Sequence, residues 1–193
     1  MTRLPAAVLF ACTMNAVRSP MAEALMKHLW GQRVFVDSVG VRSGGEVNGF
    51  VISVMDEIGL DLRRHSCKTF DDLDDGSFDL VISLSPDAQH RAVELTRTNA
   101  CTVEFWPTFD PAIADGNRER RLAAYRDVRD ALKARILSRF PPQRSIQNGC
   151  NGISRHAHGR DRSAAPTTMA PSPRQASPVR KASRTSPSLI FFW

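Results

Sequence analysis

The sequence predicts an α/β fold, a three-layer sandwich in which a four-stranded parallel sheet of order 2-1-3-4 carries helices on both faces, followed by a disordered tail. Three observations carry this. Short apolar runs alternate with stripes of helical period four times over residues 1–140. The first run, Ala6–Ala11, is continuously apolar, as in a strand buried on both faces. Beyond Phe140 composition changes: residues 141–193 hold seven of the chain's 12 prolines, are rich in Ser, Arg and Ala, and lack apolar periodicity until Leu189–Trp193.

The elements follow in order. After Ala6–Ala11, Ala22, Leu25, Met26 and Leu29 fall at helical spacing, with Ser19 as the expected cap and Pro20 in the first turn, where no N–H is needed. Val34–Val36 is the second strand. Val47, Phe50, Val51, Val54, Met55 and Ile58 form a helical stripe that stops at Gly59. Leu80–Ile82 with Leu84 is the third strand, and Ser85-Pro86 opens a weaker helix to about Arg97. Thr102–Trp106 is the fourth strand. Leu122, Tyr125, Val128, Leu132 and Ile136 mark a final helix over about Asn117–Arg139. In such a sheet the first strand lies at the topological switch point, and ligands bind beyond its carboxyl end.

Length and charge narrow the class. The 193 residues suit one domain, 1–140, with the tail 141–193. The net charge of +6 belongs to the tail: its eight basic residues against Asp161 give +7, leaving −1 for residues 1–140. Nucleic-acid binding by the front domain is therefore not expected. The tail is passive, a basic contact for acidic partners, or an out-of-frame or read-through extension; the sequence leaves these open. No apolar run of about 18 residues occurs, so no membrane span is predicted. The short apolar N-terminal stretch suits a strand better than a signal peptide. Four irregularly spaced cysteines argue against a disulfide scaffold, and the lack of C-x-x-C argues against structural zinc. No G-x-x-x-x-G-K loop is present. A monomer in the cytoplasm is expected.

Chemistry is expected just after Ala11, in Cys12-Thr13-Met14-Asn15-Ala16-Val17-Arg18-Ser19-Pro20. The five residues between Cys12 and Arg18 are enough to wrap one tetrahedral anion with inward N–H groups, and the helix N-terminus adds partial positive charge. Arg18 can clamp two oxygens of that anion. Cys12, beneath the same donors, is favoured as thiolate and becomes a nucleophile aimed at phosphorus. Ser19 can stabilise that thiolate by a hydrogen bond. Asn15 tolerates the left-handed backbone of a tight loop. Protonation of a leaving oxygen calls for a carboxylic acid at the same sheet edge. Asp110, in Trp106-Pro107-Thr108-Phe109-Asp110-Pro111, is the candidate, partly desolvated by Phe109, Trp106 and Pro111; Asp115 is its rival. Thiolate, guanidinium and carboxylate complete the chemistry, so no metal or cofactor is expected.

The stretch VLFACTMNAVRSPMAEAL resembles the signature of the low-molecular-weight protein tyrosine phosphatases and their arsenate-reductase relatives. The resemblance spans about residues 5–139 and includes Cys12, Asn15, Arg18, Ser19, Pro20, Asp37-Ser38 and Asp110-Pro111. It implies Cys12 as nucleophile, Arg18 as phosphate clamp, Asp110 as general acid and then base, a phosphate loop of Thr13, Met14, Asn15, Ala16, Val17, Arg18 and Ser19, and Ser38 and His65 as supports of Asn15. It implies a phosphorylated protein or small aryl phosphate as substrate, and inhibition by phosphate-like anions. This chain departs from the family pattern in four places. Met14 replaces a common Gly. Val17 stands where many members have a second, protective cysteine. Ala112-Ile113 replace the aromatic residues that flank a phosphotyrosine ring. The segment Ser83–Ala88 lacks the two cysteines of thioredoxin-coupled arsenate reductases. Cys67 and Cys101 are expected to be inert unless one reaches Cys12. Phosphomonoester hydrolysis through a phosphocysteine leads; arsenate reduction with an external thiol and non-catalytic phosphate binding are the alternatives.

Overall fold

The computed structural model describes residues 4–73 and 77–142, so the predicted tail lies, beyond Pro142, outside the described residues. Four strands, β1 (Ala7–Cys12), β2 (Phe35–Gly40), β3 (Leu80–Ser83) and β4 (Thr102–Phe105), alternate with four α-helices. These are α1 (Arg18–Trp30), α2 (Gly49–Asp56), α3 (Pro86–Leu95) and α4 (Arg118–Arg139). The sheet is wholly parallel, in the order β2-β1-β3-β4.

β1 shows why its sequence is apolar without alternation. Val8, Phe10 and Cys12 face a core built with α1, α2 and α4. Leu9 and Ala11 face a second, smaller core with Val39, Val81 and Ala88 and Ala92 of α3. Successive side chains point to opposite faces, so a central strand covered on both sides needs apolar residues at every position. Phe10 packs edge-on against Trp106 at 6.3 Å. Burial of a side chain of that size contributes about 1.5–3 kcal/mol.

Three boundaries differ from the sequence expectation. Ser19 does not cap α1: Val17 is the N-cap, without a side-chain bond, and Ser19 lies inside the first turn. Its hydroxyl is engaged by Cys12 and Asn15 instead. β2 begins at Phe35, and continues through Asp37 and Ser38 to Gly40. Backbone pairing with β1 carries the strand through these polar residues, which break the apolar pattern. Val34, though buried, belongs to the turn after α1, where its N–H donates to the Trp30 carbonyl. α2 is shorter than its apolar stripe because Asn48 caps it, accepting from the Phe50 N–H at 2.9 Å.

The parallel register brings Ala11 beside Val39 on one side and Ser83 on the other. The loops after β1, β3 and β4 therefore emerge at one sheet edge, where the chemistry-bearing residues meet.

Candidate active site

Cys12 ends β1 and is 2% exposed. Its Sγ accepts the Asn15 backbone N–H at 3.3 Å and lies 3.0 Å from Ser19 Oγ. Ser19 Oγ also lies 3.2 Å from the Val39 carbonyl. One hydroxyl proton thus has two acceptors: it can serve the carbonyl while Cys12 is a thiol and turn to the sulfur when Cys12 is a thiolate.

The loop 13–17 turns on Asn15, the one described residue other than glycine with positive φ, at 52°. Asn carries this conformation better than most residues, and here its side chain is fully used. Nδ2 donates to Ser19 Oγ at 2.9 Å and to Ser38 Oγ at 2.8 Å. Oδ1 accepts from the Lys68 N–H at 2.8 Å and from His65 Nε2 at 3.3 Å. The Ser38 hydroxyl donates in turn to Glu23 Oε2, which also lies 3.5 Å from His65 Nδ1. Burial pushes the His65 pKa below its ordinary value, against the upward pull of Glu23. Ser38 and His65, predicted as supports, therefore both touch Asn15.

Arg18, the first residue of α1, is 7% exposed. Nη2 donates to Asp110 Oδ2 at 2.9 Å and to Thr13 Oγ1 at 3.3 Å, and Nη1 to the Thr108 carbonyl at 3.2 Å. Its Nε is buried with no hydrogen-bond partner. Asp110 caps the short 3-10 turn Pro111–Ile113, accepting from the Ala112 N–H through Oδ1. Asp115 is exposed and does not pair with Arg18. Phe109 is 58% exposed and gives Asp110 little of the expected apolar cover, and Trp106 is turned into the core. Met14 is exposed, and Ile113 beside Asp110 is 69% exposed.

Two residues went unnoticed in the sequence. Glu23 is a buried carboxylate one turn after Ser19 on α1, held by Lys27, Ser38 and His65. Its sequence signal is an acidic residue on the apolar face of that helix, beside Ala22 and Met26. Gly40 ends β2 where a Cβ would come within 2.8 Å of the Asn15 nitrogen and 2.5 Å of the Arg42 carbonyl oxygen. Only glycine lets the loop lie this close. Cys101 precedes β4 and so sits at the sheet edge opposite Cys12. Cys67 does not: its Sγ donates to the Asn15 carbonyl at 2.9 Å. Among the described residues no group of three or more His, Cys, Asp or Glu is arranged to hold a metal ion. No described helix is long and apolar enough to cross a membrane.

A buried cysteine under a tight loop, an arginine at the following helix N-terminus and an aspartate from a third loop meet at one sheet edge, a set of groups whose chemistry suits a tetrahedral oxyanion. Residues 7–137 match the family model described as low molecular weight phosphotyrosine protein phosphatase, and the chain belongs to that family. It is 36% identical over 129 residues to an arsenate reductase of Halalkalibacterium halodurans, covering 67% of this chain and 91% of the relative. An arsenate reductase solved in its oxidized state aligns with a TM-score of 0.56 at 28% identity, covering 69% of this chain and 95% of that one. The low molecular weight protein tyrosine phosphatase of T. tengcongensis has the same fold, with a TM-score of 0.56 at 23% identity, covering 66% and 92%. Phosphatases and arsenate reductases thus share this architecture.

Proposed function

We propose that the chain is a cysteine-dependent phosphomonoesterase acting on phosphotyrosine in proteins or on a similar aryl phosphate. The observation that carries this reading is Arg18 pinned between Thr13 of the loop and Asp110. That contact brings a clamp and a carboxyl group to the ring of residues above Cys12. In this reading, Thr13, Met14, Asn15, Ala16, Val17 and Ser19 wrap the phosphoryl group, and Arg18 grips two of its oxygens. The buried Arg18 Nε, which has no protein partner, suits an anion oxygen.

Cys12 Sγ attacks phosphorus in line, the P–O bond to the alcohol breaks, and Asp110 protonates the departing oxygen. A water then attacks the phosphocysteine, giving a proton to Asp110, and Cys12 leaves as a thiolate stabilised by the Ser19 hydroxyl and the Asn15 N–H. Arg18 offsets the charge that builds on the equatorial oxygens in both steps. The exposed, non-aromatic Ala112 and Ile113 near Asp110 suit a substrate range wider than phosphotyrosine. The same reading takes the enzyme as a cytoplasmic monomer, in keeping with the free thiols of Cys12, Cys67 and Cys101.

Hydrolysis of para-nitrophenyl phosphate at mildly acid pH tests it. Wild type is expected to release a burst of nitrophenol. Cys12→Ser is expected to release none, and Asp110→Ala to turn over about 10²–10⁴-fold more slowly. Full activity in Cys12→Ser would falsify the mechanism. A second reading, arsenate reduction, is favoured by the name of the 36% identical relative. Arsenate has the shape and charge of phosphate, so the same loop and clamp accept it.

A further inference from the structure

Ser85-Pro86 reads in the sequence as the start of a helix. In the structure the turn from β3 to α3 also reaches the guanidinium of Arg18 by two routes. Ser85 is 2% exposed and is the N-cap of α3, where its Oγ accepts the Ala88 N–H at 3.4 Å. The same oxygen accepts the hydroxyl of Thr13 at 3.1 Å, and Thr13 Oγ1 in turn accepts from Arg18 Nη2 at 3.3 Å. One residue earlier, the fully buried Leu84 accepts the Thr108 N–H at 3.1 Å, and the Thr108 carbonyl accepts from Arg18 Nη1 at 3.2 Å. Leu84 is itself fixed to β1 by its N–H on the Ala11 carbonyl at 2.7 Å. Among the described residues three groups hold Arg18, and consecutive residues of one turn set two of them; Asp110 is the third.

The direction of these bonds decides what each can do. A threonine hydroxyl has one proton. While Ser85 takes that proton, Thr13 Oγ1 presents only lone pairs to Arg18, which is what an arginine N–H needs. Without an acceptor at position 85 the Thr13 hydroxyl is free to rotate, and its proton can swing toward the guanidinium. The three holds on Arg18 also differ in duration. To protonate a leaving oxygen, Asp110 must give up its share of Nη2. The Thr13 and Thr108 contacts involve neither the leaving oxygen nor the attacking sulfur, so they can persist through both chemical steps and keep the guanidinium aimed.

We propose that Ser85 is a positioning residue of the oxyanion clamp: by taking the Thr13 proton it fixes Arg18 in the orientation that grips the phosphoryl group. This rests on the reading of Arg18 as that clamp. Ser85 acts from behind Thr13 and not on a reacting atom. Leu84 contributes through its backbone carbonyl, so Ser85 is the member of the turn that a side-chain substitution addresses.

The cap and the relay can be separated. Ser85→Ala removes both, Ser85→Gly removes the hydroxyl but caps nearly as well, and Ser85→Thr keeps both. The full chain is used throughout. The kcat for para-nitrophenyl phosphate and the Kd of inorganic phosphate by titration calorimetry read the clamp, and the urea midpoint reads the cap. Ser85→Ala and Ser85→Gly are expected to lower kcat by the same factor, about 5-fold for one net hydrogen bond, and to raise the phosphate Kd about as much. Only Ser85→Ala is expected to lower the urea midpoint clearly. Ser85→Thr is expected to keep the wild-type values. Thr13→Val cuts the relay at its middle and is expected to lose at least as much, and Ser85→Gly added to it to cost nothing further. A Ser85→Gly chain with wild-type kcat and phosphate Kd overturns the proposal. So does an additive loss in the double variant, or a kcat that simply follows the urea midpoint, either of which leaves Ser85 a helix cap only. If wild type binds phosphate but hydrolyses no ester, the phosphatase reading fails, and the ranking of phosphate Kd alone supports or overturns the inference. If wild type binds no phosphate, both fail.

Discussion

Asn15 joins backbone geometry to chemistry in a single residue. Its positive φ turns the loop so that its N–H meets Cys12, and its amide spends all four of its hydrogen bonds on Ser19, Ser38, His65 and Lys68. The two roles can be separated. Asn15→Gly keeps the backbone freedom and loses the amide bonds, whereas Asn15→Ala loses both. Each net hydrogen bond contributes about 1 kcal/mol, and an alanine at positive φ adds about 1 kcal/mol of strain. Urea unfolding should therefore show Asn15→Gly destabilised by about 4 kcal/mol and Asn15→Ala by about 1 kcal/mol more. Nitrophenyl phosphate turnover should fall in both. A fully active Asn15→Gly would show that the amide network does not position the loop. At this scale the meeting of Cys12, Arg18 and Asp110 at one sheet edge was legible, because it follows from their spacing and loop positions. Glu23 and Gly40 were not, because each matters through contacts between segments distant in sequence.

At the scale of elements, the apolar patterns and the Ser85-Pro86 start placed the four strands and four α-helices, and the boundary differences fall mainly where a polar residue has a partner in the site. The strand running through Asp37 and Ser38 looks interrupted because Ser38 serves Asn15 rather than the core. Ser19 looks like a cap because serine commonly caps, but its hydroxyl serves Cys12. α4 presents the opposite case, a polar atom inside an apolar stripe without a partner. Tyr125 is 0% exposed and stacks on Phe50 at 5.3 Å, and its hydroxyl has no hydrogen bond. A buried unsatisfied hydroxyl costs about 1–3 kcal/mol. Tyr125→Phe keeps the ring and removes that cost, so it is expected to stabilise the fold by about 1 kcal/mol, read as a higher urea midpoint with unchanged slope. A loss of stability would show that the hydroxyl has a partner, such as an ordered water.

For the whole molecule, the described residues up to Pro142 hold both cores and every group of the candidate site, on a segment whose formal charge is −1. The sequence places the boundary by composition near Phe140, and Phe140 itself packs with the residues before it. Phe140 is buried, meets Trp30 edge-on at 6.4 Å, and follows Arg139, which pairs with Glu104 beside β3. These two residues tie the end of α4 to α1 and β4. A chain ending at Pro142 is therefore expected to keep the nitrophenyl phosphate rate and thermal midpoint of the full chain. A chain ending at Ser138 loses the aromatic contact and the ion pair together. Removal of a buried phenylalanine ring alone costs about 3–5 kcal/mol, a large part of the stability of a domain this size. Its midpoint should fall by more than about 10 °C. If the chain ending at Pro142 lost activity while remaining folded, residues 143–193 would contribute to the site, and the division near Phe140 would have to be abandoned.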